Sequence, residues 1–324
     1  MTFDTGLILV SIATLGLYNV LVKEFPHKLV LLFLLNVTAY LGFLVVYFVH
    51  TRLLGHDARA LRELVDVYIY QDTPLYAVIA LCFLGSMIVS EKLLDGYDLS
   101  LVVPISQFGV LLSSAAYLVL GDPFKWTLAV GMLILCLGTV CVSLSAAEGA
   151  PSDTLLARLQ RVPHRLWLLV LIQAVFFTVV SVLGYLGTKR TAETQAALRW
   201  LRRLHIGPLA FHQAFYFNLG QQCFSVVLFL VYLLCRRRYR TELVPSLTAR
   251  TGYLTLVVLV YFVAQYTYLI AFSMTTDTTI LLALDNFSTP VVLALSYLLL
   301  HEPLTPSKTI GSSLIVFGGV IAAL

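Results

Sequence analysis

The chain has 324 residues, of which 59% are apolar and only 12% are charged, and its mean hydropathy is +0.90. This composition excludes a soluble globular protein and is typical of a chain that crosses a membrane many times. The formal net charge of +4 does not indicate nucleic-acid binding, because the basic residues stand at the ends of apolar runs, where they meet lipid headgroups. We therefore expect the lipid bilayer, and no nucleic acid, around this protein.

Apolar runs long enough to cross a bilayer recur along the whole chain. They lie at 6–22, 29–50, 74–94, 99–120, 125–146, 166–188, 208–235, 251–274, 279–300 and 306–324. Each run predicts a helix, because hydrocarbon cannot satisfy an open backbone. The sequence therefore predicts an all-α integral membrane protein with ten transmembrane helices.

Polar side chains inside these runs are the candidate substrate ligands, because a polar group in hydrocarbon is costly unless it faces a cavity or a partner. The uncharged candidates ahead of Gln107 are Tyr18 and Asn19 in the first run. Asn36 in the second run is weaker evidence for a substrate site. Gln107 lies in the fourth run.

Glu91 and Lys92 are adjacent charges near the end of the third run. One interpretation makes them interfacial anchors beside Asp95 and Asp98. The other makes them a charged element at the mouth of a cavity, where Glu91 binds a proton or an amine and Lys92 binds an acid group. The sequence leaves both interpretations open.

The second half of the chain adds single polar residues and one patterned face. Gln173 lies in the sixth run, and His212 lies in the seventh, either as a proton-coupling group or at the interface. Tyr261, Gln265 and Tyr268 share one face of the eighth run at helical spacing. Such a face suits a planar or amphipathic solute, and it also suits a helix-packing seam.

Asp285 and Asn286 lie inside the ninth run, four or five residues before Pro290. A carboxylate at that depth suits proton coupling, and the alternative is a structural hydrogen bond to a neighbouring helix. Glu91 is the second candidate for proton coupling. Gln107 falls near the depth of Asp285 in the other half, so a substrate between the halves could touch both.

Two segments of the chain repeat each other. Residues 117–144 align without gaps on residues 297–324 with eight identities, and Asp122 stands opposite Glu302. The first five runs (1–146) and the last five (166–324) thus form two repeats, joined by a polar linker at 147–165. Since five is odd, tandem copies must lie in the membrane with opposite orientation.

The residues around these segments resemble a known repeat. Each half has an acid and a Pro ahead of its last helix, followed by spaced glycines, and the second half has Ala-Leu-Asp-Asn-Phe-Ser-Thr-Pro290 before His301-Glu302-Pro303. This pattern is similar to that of the EamA-type transporters of the drug/metabolite transporter (DMT) superfamily. The resemblance implies two inverted five-helix repeats, alternating access and transport of a small organic solute, without naming the solute.

Motifs of other functional classes are absent from the sequence. It contains no Gly-rich phosphate loop, no His-Glu-x-x-His run and no nucleophile elbow, and its five cysteines lack metal-ligand spacing. We therefore expect no enzyme activity, catalytic residue, metal or cofactor. Asp122 and Glu302, each followed by Pro, predict structural starts of the helices that come next.

The sequence thus predicts a secondary active transporter for an amino acid, an amine or a similar metabolite, either proton-coupled or exchanging. The alternative is a flippase or transporter of a lipid-linked or nucleotide-linked sugar. A single chain can enclose a complete pathway, so we expect a monomer, with a dimer as the alternative. The expected location is a bacterial inner membrane, with an endomembrane as the alternative.

Overall fold

The computed structural model describes residues 3–48, 73–106, 108–119, 125–145, 163–188, 210–241, 245, 251–274 and 287–323. Within these ranges the chain forms helices and no strands. Five helical stretches are long and apolar enough to cross a membrane, and shorter apolar helices accompany them. The prediction of an all-helical, multi-pass membrane protein is confirmed at this level.

Eleven helices of eight residues or more are described in these ranges, with a short helical segment at 237–241, and each predicted apolar run overlaps at least one of the eleven. They are α1 (Phe3–Glu24), α2 (Lys28–Phe48), α3 (Thr73–Gly96), α4 (Leu99–Ser106), α5 (Phe108–Val119), α6 (Trp126–Leu144), α7 (His164–Thr188), α8 (Ala210–Cys235), α9 (Thr251–Met274), α10 (Ser288–Leu300) and α11 (Pro306–Ala323). The fourth run contains both α4 and α5, on either side of residue 107, and Pro104 lies inside α4.

Apolar side chains occur both in the interior and on the outer surface of the bundle. Tyr76, Phe25 and Phe229 are among the largest fully buried side chains, whereas leucines on α6, α7 and α9 are exposed. These exposed leucines are Leu133, Leu137, Leu168, Leu171 and Leu259. Lipid tails are as apolar as leucine, so this surface is suited to a bilayer.

Helices α6 and α11 pack against each other through four glycines and run antiparallel. Gly131 faces Gly318, and Gly138 faces Gly311. A methyl group added to any of them would lie 2.5–2.7 Å from the carbonyl oxygen of the facing glycine. Only glycine permits this approach, and the close contact lets the two backbones gain van der Waals attraction.

The other helix contacts also join the first half of the chain to the second half. Helix α1 contacts α9 and α10, α7 contacts α3 and α5, and α2 contacts α8 and α9. Helix α8 also contacts α3. Helices from both halves of the chain therefore interleave.

Candidate functional site

A cavity of about 320 Å³ lies between helices of both halves. Its walls come from α1, α2, α3, α4 and α5 in the first half and from α7, α9 and α10 in the second. The volume lies at the lower end of the roughly 300–1,000 Å³ that small-molecule sites occupy.

Five of the predicted ligands line this cavity. They are Tyr18, Asn19, Gln173, Tyr261 and Gln265. Asn36, the weaker candidate, lines it too, whereas Glu91, Lys92 and Tyr268 do not belong to its described wall. The structure thus brings together uncharged candidates from four different helices.

Four other predicted ligands lie outside the described part of the chain, either entirely or with their side chains. Gln107, Asp285 and Asn286 lie outside the described residues. His212 lies in α8, but its side chain is outside the described part of the chain. Their assignment as substrate ligands stays a prediction, and so does proton coupling by Asp285.

Two tyrosines join the halves across the cavity. The ring centroids of Tyr18 on α1 and Tyr261 on α9 lie 5.0 Å apart, with the ring planes tilted by 38°. This distance and tilt fall within the favourable range for aromatic pairs. The helical spacing that placed Tyr261 and Gln265 on one face also places both side chains in the cavity wall.

Two asparagines in the wall each donate one amide hydrogen to a backbone carbonyl of their own helix. Asn19 Nδ2 donates to the carbonyl oxygen of Leu15 at 3.0 Å, and Asn36 Nδ2 donates to that of Leu32 at 2.7 Å. A carbonyl oxygen only accepts, so these contacts fix the orientation of both amides. Each asparagine retains its Oδ1 atom as an acceptor.

Gln173 binds across the cavity wall to α3. Its Nε2 atom lies 2.8 Å from Ser86 Oγ and 3.0 Å from Ser90 Oγ, two hydroxyls one helical turn apart. Ser106 and Ser288 also belong to the wall. Sequence reasoning missed these four serines, because a serine inside an apolar helix commonly bonds to its own backbone and gives no signal of a cavity.

Glu91 faces the short helical segment at 237–241, which follows α8. The Tyr239 hydroxyl donates to Glu91 Oε2 at 2.8 Å, and the Glu91 residue is 8% exposed. Burial, reinforced by the hydrogen bond to this carboxylate, raises the pKa of Tyr239. Lys92, one position further along α3, is exposed. The two adjacent charges thus have different surroundings, and neither lies in the described cavity wall.

Basic side chains hold the turn between α3 and α4 against the rest of the first half. Lys23 Nζ donates to the carbonyl oxygens of Leu94 and Tyr97. Lys28 Nζ forms an ion pair with Asp95 Oδ1 at 2.5 Å. Leu94 also lines the cavity, so this turn lies next to it.

The second half holds the same turn through Glu302 and Lys308. The backbone N–H groups of Leu99 and Ser100 donate to the two carboxylate oxygens of Glu302, each at 2.8 Å. Lys308 Nζ lies 3.2 Å from Asp98 Oδ2 and 2.8 Å from Ser100 Oγ, and the residue is 3% exposed. We call Glu302, Lys308 and their partners at 98–100 the inter-half latch.

The structure corrects the expected role of Glu302. The sequence predicted that it starts the helix that follows, but α11 begins at Pro306 and Glu302 caps α4 in the other half. The free N–H groups at the start of α4 attract a carboxylate wherever in the chain it comes from. The role is still structural. Asp122 lies outside the described residues.

Neither a protein-family model nor a characterised protein sequence matches this chain. Similarity therefore assigns no family, and function has to be inferred from the cavity and the packing around it. Within the described ranges, no group of three His, Cys, Asp or Glu side chains could hold a metal ion.

Proposed function

We propose that the protein is a secondary active transporter that moves a small organic solute across a membrane by alternating access, with two inverted five-helix repeats of the EamA type. The observation that carries the proposal is the cavity of about 320 Å³ into whose mainly apolar wall both halves of the chain place polar side chains. Transporters built from repeats bind their substrates at the repeat interface.

The packing supports an inverted repeat. Exchanging the halves pairs α1 with α7, α2 with α8, α3 with α9, α5 with α10 and α6 with α11. The contacts of α1 with α9 and α10 then correspond to those of α7 with α3 and α5, and the contact of α2 with α9 corresponds to that of α8 with α3. A two-fold axis between inverted repeats relates contacts in this manner.

The glycine contacts correspond in the same way when the two halves are exchanged. The aligned pairs Gly131 with Gly311 and Gly138 with Gly318 meet crosswise in the antiparallel contact of α6 and α11. Gly42 on α2 lies against Phe262 of α9, and Gly220 on α8 lies against the ring of Tyr76 on α3. Both sets are expected if one half is an inverted copy of the other.

The inter-half latch supports alternating access. Its contacts cross from the second half to the α3–α4 turn and the start of α4, and Leu94, in the last turn of α3, borders the cavity. Rocking of the halves has to break contacts at one end of the cavity while others form. Polar contacts in a latch can be exchanged for water, so we assign the latch to the closed side of the cavity.

A lipid-linked sugar is the second candidate substrate. A groove of about 500 Å³ between α10 and α11 carries the hydroxyl side chains Thr309, Ser312 and Ser313 among apolar residues. Polar groups in a lateral groove suit a lipid headgroup. The described wall of the central cavity, however, contains no Lys or Arg to bind a phosphate, so a soluble solute is the leading proposal.

Thermal-shift screening followed by transport in proteoliposomes tests the function. The screen covers amino acids, amines, nucleotide-sugars, phosphorylated metabolites and short-chain lipids at two pH values. A soluble solute that stabilises the wild type, binds weakly to Gln173→Leu and exchanges across proteoliposomes would support the proposal. Stabilisation by lipids alone, equal in Gln173→Leu, would favour the lipid-linked substrate.

A further inference from the structure

We infer that the central cavity selects a solute with a protonated amine on a small apolar or aromatic body, and that it discriminates against anions. The inference rests on the proposed transport function and names the substrate class of that site. It follows from the acceptors, the charges and the aromatic rings of the described wall.

Asn36 lies in the cavity wall and is 1% exposed. Its Nδ2 atom donates to Leu32, and its Oδ1 atom is buried without a hydrogen-bond partner in the described part of the chain. An unsatisfied buried acceptor is unfavourable, and a solute that donates a hydrogen bond would remove the penalty. A solute that only accepts would not.

Other side chains of the wall also donate a hydrogen to a neighbour and keep an acceptor. Asn19 donates to Leu15, and Ser106 Oγ lies 2.7 Å from the carbonyl oxygen of Val103, to which it donates. Gln173 Oε1 is buried and has no partner among the described residues. Each of these four side chains thus gives a hydrogen to a backbone or serine oxygen and keeps its own oxygen as an acceptor, so four acceptors lie on four helices of the wall.

The described wall carries no basic side chain, since none of its residues is Lys, Arg or His. Three lysines near the adjoining turn are engaged elsewhere. Lys23 donates to backbone carbonyls, Lys28 pairs with Asp95, and Lys308 bonds to Asp98 and Ser100. The described wall holds no Asp or Glu either, so an ammonium group would exchange its water for the neutral amide and hydroxyl oxygens. A carboxylate or phosphate would lose its hydration without gaining a cation.

Aromatic rings also contribute to the cavity wall. Tyr18, Tyr261, Phe83 and Phe177 all line the cavity. The face of an aromatic ring attracts a cation and repels an anion. The same rings provide contact area for the apolar body of the solute. Acceptors and rings thus favour the same class of solute.

A series of three probes of similar size and different charge tests the inference. The probes are phenethylamine, which is cationic, 2-phenylethanol, which is neutral, and 3-phenylpropionate, which is anionic. Binding is measured by calorimetry on the full chain in detergent, with thermal unfolding as a second readout. We expect phenethylamine to bind at least tenfold more tightly than the anion, with the alcohol between them.

Variants connect this selectivity to the residues. Asn36→Leu should weaken phenethylamine binding at least tenfold, Gln173→Leu should weaken it severalfold, and Asn36→Asp should strengthen it. Thr255→Val, an isosteric change at an exposed position of α9, is the matched control and should bind like the wild type. Gel filtration and the unfolding temperature show whether each variant folds, and Gln173→Leu serves if Asn36→Leu does not.

The outcomes separate the substrate class from transport itself. Tighter binding of the anion than of the amine, or amine binding that is equal in wild type, Asn36→Leu and Gln173→Leu, would overturn the inference. If no amine binds but proteoliposomes carry a neutral or anionic solute, the inference is wrong and the transport function stands. If no soluble solute binds or crosses, both are wrong.

Discussion

Replacing Glu302 by glutamine should destabilise the protein by weakening a contact between its halves. The two carboxylate oxygens each accept a backbone N–H of α4 at 2.8 Å, and the residue is 8% exposed. Glutamine retains one oxygen, but its NH₂ group would face the second N–H. One buried donor would then lack an acceptor, and the helix start would lose a negative charge.

The magnitude follows from these two losses. An unsatisfied buried donor costs about 1–3 kcal/mol. Removing a charge from the N-terminus of a helix costs a further ~0.3–1 kcal/mol. We expect a total of about 2–3 kcal/mol, in the middle of the sum of these two ranges. At roughly 2 °C per kcal/mol for a chain of this size, the unfolding temperature should fall by roughly 4–6 °C.

Thermal unfolding in detergent, followed by circular dichroism, measures this change. Glu24→Gln is the matched control, because Glu24 is an exposed acid at the end of α1. A surface change of this type should alter stability by no more than about 0.5 kcal/mol. If Glu302→Gln unfolds at the same temperature as Glu24→Gln and the wild type, the carboxylate does not hold α4 as described, and the reasoning is refuted.

Three further predictions concern other contacts. Gly138→Leu should prevent α6 from packing against α11 and abolish recovery of a monodisperse protein by gel filtration, whereas Gly96→Ala, where an added methyl group meets nothing within 4 Å, should be recovered normally. Tyr239→Phe should lower stability by about 1–3 kcal/mol, because the buried carboxylate of Glu91 loses a donor. The pKa of Tyr239 is raised above its unfolded value of about 10. The stability that the Tyr239 hydroxyl contributes should therefore be complete below pH 10 and disappear as the pH rises through the folded pKa. Absorbance titration of wild type against Tyr239→Phe checks this pKa. Lys308→Met should lower stability by about 1 kcal/mol in a denaturant titration, since the paired carboxylate is half exposed, and indifference to this change would argue against the ion pair of the latch.

The sequence alone determined the class and the helices of this protein. An apolar run such as 251–274 forms a helix in a membrane because a helix satisfies every backbone group within the segment, and the structure has α9 at the same residues. Spacing within a helix was equally informative. Tyr261 and Gln265 are four residues apart and therefore lie on one face, whichever helices surround them.

Only the tertiary structure decided which faces and ends of the helices meet. Ser86 and Ser90 contribute to the cavity wall, whereas Glu91, the neighbour of Ser90, bonds to Tyr239 in the segment that follows α8. Glu302 caps a helix about 200 positions earlier in the chain. Local patterns carry the length and the apolar face of a helix, because backbone and lipid act on every residue in the same manner. The partners of a polar side chain depend on how distant helices pack, so they emerge only when the helices are assembled.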